Sequence, residues 1–384
     1  MYPLVLFFVI NTFLYSWIGL FHSSVPLNKF EYFTNANHYI PDSRLQTGTF
    51  SLVNAVAQYD SQWYLKIADK GYPNHPTGTL KEKRGVMNTL LYNFFPLYPL
   101  LIAVINFFVR DVQLSAFIIS NGFLLASVVS LYFVVSQWFS KNVAIKTILL
   151  ILLFPFGIFL RGYYSEGLRL LLFIWFCYGL THRKYFLSSV MVGLLSITSG
   201  ISLVLLPFFY AALWFYRRKE KISWGRIFLY FIIAIVPLSI WMIFCFVQTG
   251  DAFIFVHTRY AWERPKIFPL FYNIFLLAYF PFLPFRDFYS SQIDVLSIWL
   301  TICVAFLSKN VLPKVVWLAT IVLAVAPLFV QDSVSFARFT IVLFPFFVYI
   351  AATLKRRYFV SLLIFFIVGI LISSLYFVNW YWIE

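Results

Sequence analysis

Long uncharged runs of Phe, Leu, Ile and Val alternate along this chain with short polar segments. Runs such as 113–137 and 358–378 reach the roughly 20 residues that a helix needs to cross the hydrocarbon core of a bilayer. Lipid offers no hydrogen-bond partner to backbone N–H and C=O groups, so such runs must satisfy these groups internally as helices. The pattern predicts an all-α polytopic membrane protein.

Composition and charge agree with this class. Of the 384 residues, 62% are hydrophobic and 11% are charged, whereas about a quarter of the residues in a soluble domain are charged. The net charge is +15, but the basic residues form short clusters between apolar runs, which is a membrane topology signal rather than a nucleic-acid-binding surface. The three cysteines, Cys177, Cys245 and Cys303, lie in apolar runs and indicate neither a disulfide framework nor a metal site.

The basic clusters predict the topology. They are Lys141 with Lys146, residues 182–184, residues 217–221, Lys309 with Lys314, and residues 355–357. If every cluster faces the cytoplasm, an even number of crossings must separate each cluster from the next. With a cytoplasmic N-terminus, this parity predicts about eleven transmembrane helices.

All of these crossings are assigned to one domain, 1–384. Residues 1–21 are the predicted first span, 22–112 a long external loop with juxtamembrane helices, and 113–384 a multi-span bundle. Within the external loop, the apolar segment 93–109 is predicted to lie along the membrane interface.

Three features are predicted inside the bundle. The sequence "TSG" at 198–200 divides the apolar stretch 185–216 into two short helices. Further along, 225–248 and 291–308 are predicted spans. The proline-rich segment 267–285 then has both ends outside, as a re-entrant or interfacial segment, which is tolerated where neighbouring protein covers its backbone.

The segment "YDSQWYLKIADKGYP", residues 59–73, stands out by its polarity and predicts a short amphipathic helix. Its predicted buried face carries Trp63, Tyr64, Ile67, Ala68 and Gly71, and its opposite face carries Gln62, Lys66, Asp69 and Lys70. Asp60 projects from the buried side. Its carboxylate either caps the helix or serves as a general base in a pocket at the membrane surface, and the pattern leaves both interpretations open.

Three more external or border segments combine aromatic residues with arginine. They contribute Arg161, Tyr163, Tyr164 and Glu166 from 159–169, Arg259 and Trp262 from 257–266, and Arg338 from 331–339. A single Arg near the membrane surface can simply extend its charge into water. Three segments that supply Arg to one face of the membrane suit a phosphate group, because a guanidinium binds phosphate by forked hydrogen bonds.

The acidic residues are divided unequally between the two predicted sides of the membrane. Of the 14 Asp and Glu residues, the predicted topology leaves only Glu220 inside. Either the outer loops are simply longer, or the working face is external, and the aromatic and Arg residues in those loops favour the second interpretation. No nucleotide-binding or zinc motif appears, and the five His residues show no ligand spacing, so the residues favour neither nucleotide binding nor zinc chemistry.

Together the segments resemble the PIG-V family, the mannosyltransferases that add the second mannose of the GPI anchor, and their prokaryotic relatives in the GT-C superfamily. The first motif matches at Asp60, Trp63, Tyr64, Ile67, Ala68, Gly71 and Tyr72, with Tyr59 where Trp is usual. The Phe-Phe-Pro-Leu-Tyr-Pro-Leu element matches at 94–100, which includes Tyr98. "FPFGIFLRGYYSEGL" supplies Tyr164, Ser165 and Glu166, and "ARFTIVLFPFF" supplies Arg338 and Pro345.

The resemblance implies a GT-C-like bundle that transfers a sugar, most often mannose, from a polyprenyl-phosphate donor to a lipid-linked or secreted glycan with inversion. It implies Asp60 as the base and Arg338 with Arg259 as ligands of the donor phosphate. Since such cations can stabilise a departing lipid phosphate without a metal, the resemblance implies neither a metal nor a cofactor. The implied substrate-binding residues are Trp63, Tyr64, Tyr98, Tyr164, Glu166 and Trp262. The chain departs from the family in one place, where "ITSGIS" has Thr198 and Gly200 but lacks the family's Arg.

Two other classes remain open at this stage: a flippase or other transporter of lipid-linked sugars, and a non-catalytic subunit of a glycosyltransferase complex. Transporters tend to carry internal repeats and ionisable residues near the middle of the membrane. This chain has no evident repeat, and its acids gather at one face. The resemblance also implies a prokaryotic cell membrane with the active face external, and membrane lipids as further partners.

Overall fold

A computed structural model describes residues 2–34, 39–74, 90–258, 269–285, 291–330 and 335–383. These residues are helical with no strand among them. Two of the expected site residues, Arg259 and Trp262, lie outside the described residues. The all-α class predicted from the apolar runs is confirmed.

The first helices precede and form the external loop: α1 Tyr2–Phe21, α2 Lys29–Thr34, α3 Ser43–Gln46, α4 Leu52–Ala55, α5 Asp60–Lys70 and α6 Leu97–Val109. The central helices are α7 Val112–Trp138, α8 Lys141–Leu152, α9 Glu166–Thr181, α10 Tyr185–Ser196, α11 Leu205–Glu220, α12 Trp224–Thr249 and α13 Ile254–His257. The last are α14 Pro269–Ala278, α15 Gln292–Leu307, α16 Lys314–Val330, α17 Phe336–Phe339, α18 Phe344–Thr353 and α19 Arg356–Val378.

Six helices in the described residues are long and apolar enough to cross a membrane, and a seventh span results if the bent pair Phe336–Val342 and Phe344–Thr353 is one crossing. They are Tyr2–Ser24, Val112–Trp138, Gly200–Glu220, Trp224–Thr249, Gln292–Asn310 and Arg356–Val378. This is the architecture of a multi-pass membrane protein.

The count of eleven is not confirmed, because several intervening helices are short. Helices α8 and α10 have 12 residues each, which is about 18 Å at 1.5 Å per residue and falls well short of a hydrocarbon core of roughly 30 Å. The parity of the basic clusters assigns crossings by charge alone and takes no account of helix length.

Individual segments follow the sequence prediction more closely. The predicted break at 198–200 separates α10 from α11, with a 3₁₀ turn at Gly200–Val204. The predicted interfacial segment 93–109 contains α6, and 267–285 contains α14 followed by a 3₁₀ turn at Phe280–Phe282. The position of these two segments relative to the membrane stays a prediction.

Polar residues at the helix ends fix several boundaries. The Asp111 carboxylate accepts the N–H groups of Gln113 and Leu114 at the start of α7, and Ser223 caps α12 in the same way. Such caps satisfy backbone donors that have no partner within the helix. Helix α12 ends at Gly250, whose φ of 76° is favourable for glycine and strained for other residues.

Helix α9 is the centre of the bundle and is buried over almost its whole length. It packs tightly on α10, because a Cβ at Gly179 would lie 2.3 Å from Ser188 Oγ. On its other side, Ser127 Oγ of α7 donates a hydrogen bond of 3.1 Å to the Gly167 carbonyl. The first turn of α9 is therefore held firmly, and this turn contributes to the candidate site.

A polar network ties the external loop to the end of the chain. The buried Asp42 carboxylate accepts hydrogen bonds from Arg44 Nη2 at 2.7 Å and from Trp380 Nε1 at 2.8 Å. Arg44 also donates to Asn379 Oδ1 at 2.5 Å and to the Val378 carbonyl at 2.7 Å. The network fixes the chain that leads into α5.

Candidate functional site

Side chains from three distant parts of the chain meet at one point. Arg338 Nη1 donates a hydrogen bond of 2.8 Å to Asp60 Oδ2, and Arg338 Nε lies 3.0 Å from Glu166 Oε1. The Asp60 side chain is 23% exposed, whereas those of Arg338 and Glu166 are 9% and 3% exposed. The Arg338 guanidinium thus contacts two carboxylates, that of Asp60, which solvent reaches, and that of Glu166, which solvent does not reach.

Asp60 is the first residue of α5. The residue before it, Tyr59, has a φ of 50° and packs edge-on against Trp380 and Trp382, and no side chain caps the helix there. This local geometry does not favour the capping interpretation of Asp60, since its carboxylate accepts from Arg338. The strained Tyr59 backbone is held by the aromatic packing and turns the chain into α5.

The predicted faces of α5 are only partly right. Trp63, Tyr64 and Ile67 are buried as predicted, and Gly71 is exposed instead of buried. Gln62 was assigned to the polar face but is buried, since Oε1 accepts the Ile40 N–H at 2.7 Å and Nε2 donates to a carbonyl of the preceding loop. The external loop covers this face, which the helical periodicity alone does not reveal.

Glu166 begins α9 directly after Tyr164 and Ser165. Tyr64 donates from its hydroxyl to Ser165 Oγ at 3.2 Å, which links α5 to this turn, and Tyr164 donates to the Gln58 carbonyl at 3.0 Å. Glu166 Oε2 is buried and has no hydrogen-bond partner within the described part of the chain. A buried acceptor in this state is costly.

Arg338 is placed by a cap that comes from another helix. Helix α17 has four residues and follows Ser335, whose φ is 62° and whose side chain does not cap it. Asp294 of α15 accepts the Ala337 N–H at 3.2 Å, and Ser291 Oγ donates to the same carboxylate at 3.3 Å. The buried Asp294 therefore fixes the start of the short helix that carries Arg338.

Aromatic rings surround the ion pairs. The Arg338 guanidinium lies 5.2 Å from the ring centroid of Tyr164, 5.5 Å from that of Phe159 and 5.0 Å from that of Phe339. Such contacts stabilise a cation beside a π face. They also exclude water, which strengthens the ion pairs.

The other expected aromatic residues form a second layer. The Tyr64 ring packs edge-on against Tyr98 at 5.0 Å and against Phe94 at 5.1 Å, and Trp63 stacks on Phe94 at 5.8 Å. Tyr98 shares a hydrogen bond of 2.7 Å with Ser120 Oγ. Burial, with the nearby Glu166 charge, raises the pKa of Tyr64, so its hydroxyl is a proton-bearing donor at neutral pH.

Arg161 does not join the other arginines. It is fully buried and donates to Asn11 Oδ1 at 2.6 Å and to the carbonyls of Gly157 and Leu152 at 2.8 and 3.1 Å. It anchors the turn between α8 and α9 to α1. Arg161 is therefore not part of the cluster around Arg338, and the membrane face on which it lies stays a prediction.

Sequence reasoning missed two residues of the cluster. Arg169 lies one helical turn after Glu166 and its Nη1 is 3.9 Å from Glu166 Oε1; the i, i+3 spacing in "EGLR" was the available signal. Asp294 follows Ser291 by three residues, the pattern of a capping box. That pattern could identify the start of α15 but not the contact with α17.

The structure thus brings together Asp60, Tyr64, Tyr98, Tyr164, Glu166 and Arg338, while Trp63 reaches them through Phe94. Among the described residues, no group of three His, Cys, Asp or Glu side chains is placed to hold a metal ion. The part of the chain that the structure describes is that of an all-α membrane protein, with a largely buried cluster of two carboxylates and two guanidinium groups in which the Asp60 carboxylate reaches solvent. No family model, curated protein or solved structure matches this chain.

Proposed function

We propose that this protein is a membrane glycosyltransferase. It transfers a sugar, which the sequence resemblance suggests is mannose, from a polyprenyl-phosphate donor to a hydroxyl of a lipid-linked or secreted glycan, with inversion. In this proposal the fold is a GT-C-like bundle of about eleven crossings. The site faces the outside of a prokaryotic cell membrane.

The contact between Asp60 and Arg338 carries the proposal. The two residues are 278 positions apart and come from separate motifs, and Glu166 of a third motif completes the cluster. The sequence resemblance rests on short separate motifs and does not by itself require that Asp60, Glu166 and Arg338 contact one another. A single site that binds a phosphate and accepts a proton needs a cation and a carboxylate close together. The contact between Arg338 and Asp60 meets this need.

The chemistry follows from the two residue types. The acceptor oxygen attacks the anomeric carbon and forms the new C–O bond, while the bond from that carbon to the phosphate oxygen breaks. The acceptor proton passes to the Asp60 carboxylate, and the bonding electrons leave with the polyprenyl phosphate. A fixed cation such as Arg338 stabilises the charge that develops on this leaving group, and a positioned base typically contributes about 10²–10⁴-fold.

Asp60 is a better base candidate than Glu166 because of its exposure. Its side chain is 23% exposed, whereas that of Glu166 is 3% exposed and pairs with two arginines. An acceptor can therefore reach Asp60 without displacing the packed helices. Glu166 is suited to hold Arg338 in place.

The ion pair also has a consequence for substrate order. Arg338 Nη1 is bonded to Asp60 in this structure, so a donor phosphate that takes up this guanidinium competes with the carboxylate. Binding of the donor then releases Asp60 to act on the acceptor. We expect the donor to bind before the acceptor.

A transfer assay tests the proposal. Purified protein is incubated with radiolabelled polyprenyl-phosphate mannose and candidate glycan acceptors, with Asp60→Asn protein as the matched control. Label in the acceptor with wild type and not with the variant supports the proposal. Movement of the labelled lipid across a proteoliposome bilayer without transfer would indicate a transporter, and transfer that depends on a second chain would indicate a subunit of a complex.

A further inference from the structure

Two aromatic residues lie at backbone positions that favour glycine. Tyr59, directly before Asp60, has a φ of 50° and a ψ of −116°, and Trp380, just after α19, has a φ of 63°. A residue with a Cβ is strained at such a φ, and a bulky one is rare there. The two rings pack edge-on, with their centroids 5.5 Å apart. The two strained positions are therefore neighbours in the fold.

The turn at Trp380 closes the end of α19. The Trp380 N–H donates to the Phe377 carbonyl at 3.1 Å. The Tyr381 N–H donates to the Tyr376 carbonyl at 3.1 Å, and the rings of these two residues pack at 5.1 Å. This is a Schellman motif, in which glycine is the usual residue at the left-handed position. A tryptophan there is unfavourable for the turn itself, which indicates that its side chain is needed elsewhere.

The Trp380 side chain is buried between the end of α19 and the external loop. Its Nε1 donates to Asp42 Oδ2 at 2.8 Å, and its ring packs edge-on against Tyr32 at 5.0 Å. Trp382 lies on Tyr59 as well, with ring centroids 4.9 Å apart and planes at 86°. The buried Tyr59 ring is thus held by both tryptophans. We call Trp380 and Trp382 the aromatic clamp.

The backbone on both sides of Tyr59 leads directly into the start of α5. The Gln58 carbonyl accepts the Ser61 N–H at 3.1 Å. The Tyr59 carbonyl accepts the Gln62 N–H at 3.0 Å. Rotation of the Tyr59 backbone out of its strained conformation would break this turn and displace the Cα atom of Asp60. The position of the Asp60 carboxylate therefore depends on the conformation of Tyr59.

We propose that Trp380 and Trp382 are positioning residues for Asp60. The aromatic clamp holds Tyr59 in a conformation that its backbone disfavours, and this conformation directs the Asp60 carboxylate to Arg338. The inference rests on the proposed function, since it takes Asp60 as the base. The segment that follows α19 then controls the rate of transfer without touching the reacting atoms.

Three variants of the full chain separate the aromatic clamp from general packing. Trp382→Ala removes a ring from Tyr59 and leaves the hydrogen bond from Trp380 to Asp42. Trp382→Phe keeps a ring at this place. The matched control is Trp214→Ala, which removes an exposed tryptophan of α11. Melting temperatures confirm that each variant folds.

Hydrogen exchange followed by mass spectrometry tests the clamp without an assay of transfer. The N–H groups of Ser61 and Gln62 close the turn around Tyr59, so their exchange reports its opening. We expect this exchange to be about 2- to 10-fold faster in Trp382→Ala, the factor that corresponds to the loss of one aromatic pair. Trp382→Phe should recover most of the protection, and Trp214→Ala should match wild type. Exchange in α9 should stay unchanged in all three.

The kinetics of transfer then separate positioning from packing. We expect kcat of Trp382→Ala to fall about tenfold or more, because a small misplacement of a catalytic group can cost up to about 10²-fold. The KM for the donor should be no higher than that of wild type, and Trp382→Phe should recover most of the rate. In a Tyr59→Gly background, where a φ of 50° carries no strain, Trp382→Ala should have little further effect.

Other outcomes would overturn the proposal. Faster exchange with a wild-type kcat would make the clamp a packing contact only. A lower kcat with unchanged exchange, or equal effects of Trp382→Ala with and without Tyr59→Gly, would show that Trp382 does not act through Tyr59. If wild type transfers sugar and Trp382→Ala changes neither quantity, this inference fails and the proposed function stands. If wild type transfers none, faster exchange in Trp382→Ala leaves the clamp as a structural feature, and both its role in positioning and the proposed function fail.

Discussion

Arg338 Nη1 lies 2.8 Å from Asp60 Oδ2. The guanidinium assigned to the leaving phosphate therefore holds the carboxylate assigned to proton abstraction. Each group keeps the other in a defined position before substrate arrives. The same contact means that a change at one residue alters the surroundings of the other.

Replacement of Arg338 should affect use of the donor. Arg338→Ala removes the charge beside the leaving group, and we expect kcat/KM to fall about 10²–10³-fold, in the range found when one stabilising donor is lost. Arg338→Lys should restore only part of this, since a point charge lacks the forked geometry. Steady-state kinetics with the exposed Arg226→Ala as control measure the effect, and wild-type kinetics in Arg338→Ala would remove Arg338 from the site.

Replacement of Asp294 should act on Arg338 from a distance. Asp294→Ala removes the acceptor of the Ala337 N–H, and loss of an N-cap typically costs about 1 kcal/mol. We expect the KM for the donor to rise several-fold as α17 loosens, while Asp294→Asn, which still offers an acceptor, stays near wild type.

The control for this prediction is Thr301→Val. Thr301 lies on α15, as Asp294 does, and the substitution removes the hydrogen bond of 3.0 Å that it shares with Thr340 but leaves the cap. Equal KM values for Asp294→Ala and Asp294→Asn would show that the cap does not position Arg338.

The local patterns of the chain explain what the sequence could predict. Long apolar runs and the polar break at 198–200 determine helices directly, and α1, α7, α12 and α15 lie where these patterns place them. The number of crossings depends on how short helices such as α8 and α10 are placed by their neighbours. Charge parity contains no information on that placement.

The same limit applies within the site. Asp60, Glu166 and Arg338 could be chosen from motifs, but their contact joins residues up to 278 positions apart. Arg169 has a local signal, its i, i+3 spacing from Glu166. The role of Asp294 depends on the helix packed against it, so no local pattern reveals it. The covered face of Gln62 was missed for the same reason.

Topology can be tested by labelling. In a background without Cys177, Cys245 and Cys303, Thr49→Cys and Lys219→Cys introduce reporters at two exposed positions. We expect a membrane-impermeant maleimide added to intact cells to label position 49 and not position 219, because the predicted external loop and the basic cluster lie on opposite sides. Equal labelling of both positions in intact cells is incompatible with this topology.

The Asp42 network predicts acid sensitivity. Burial raises the pKa of Asp42, but the hydrogen bonds and charge of Arg44 and the Trp380 N–H outweigh it and hold the pKa below its ordinary value. A lowered pKa in the folded state stabilises the protein above the unfolded pKa of about 3.9. This stabilisation is lost as the pH falls through the folded value.

We therefore expect the melting temperature of wild type to fall as the pH decreases below about 4, and Asp42→Asn to start lower and to change less over that interval. Melting curves between neutral and strongly acid pH measure both. Identical pH profiles for wild type and Asp42→Asn would show that this network does not contribute.

The transfer rate of Asp60→Asn tests the central claim most directly. The amide keeps the shape of the side chain and can still accept the hydrogen bond from Arg338, so we expect a melting temperature near that of wild type. Because the neutral amide competes less for Arg338, we expect the affinity for undecaprenyl phosphate to equal or exceed that of wild type. It cannot take up the acceptor proton, and the rate of mannose transfer should fall about 10²–10⁴-fold. An Asp60→Asn protein that transfers mannose at the wild-type rate would contradict the assignment of Asp60 as the base and would leave Glu166 as the next candidate.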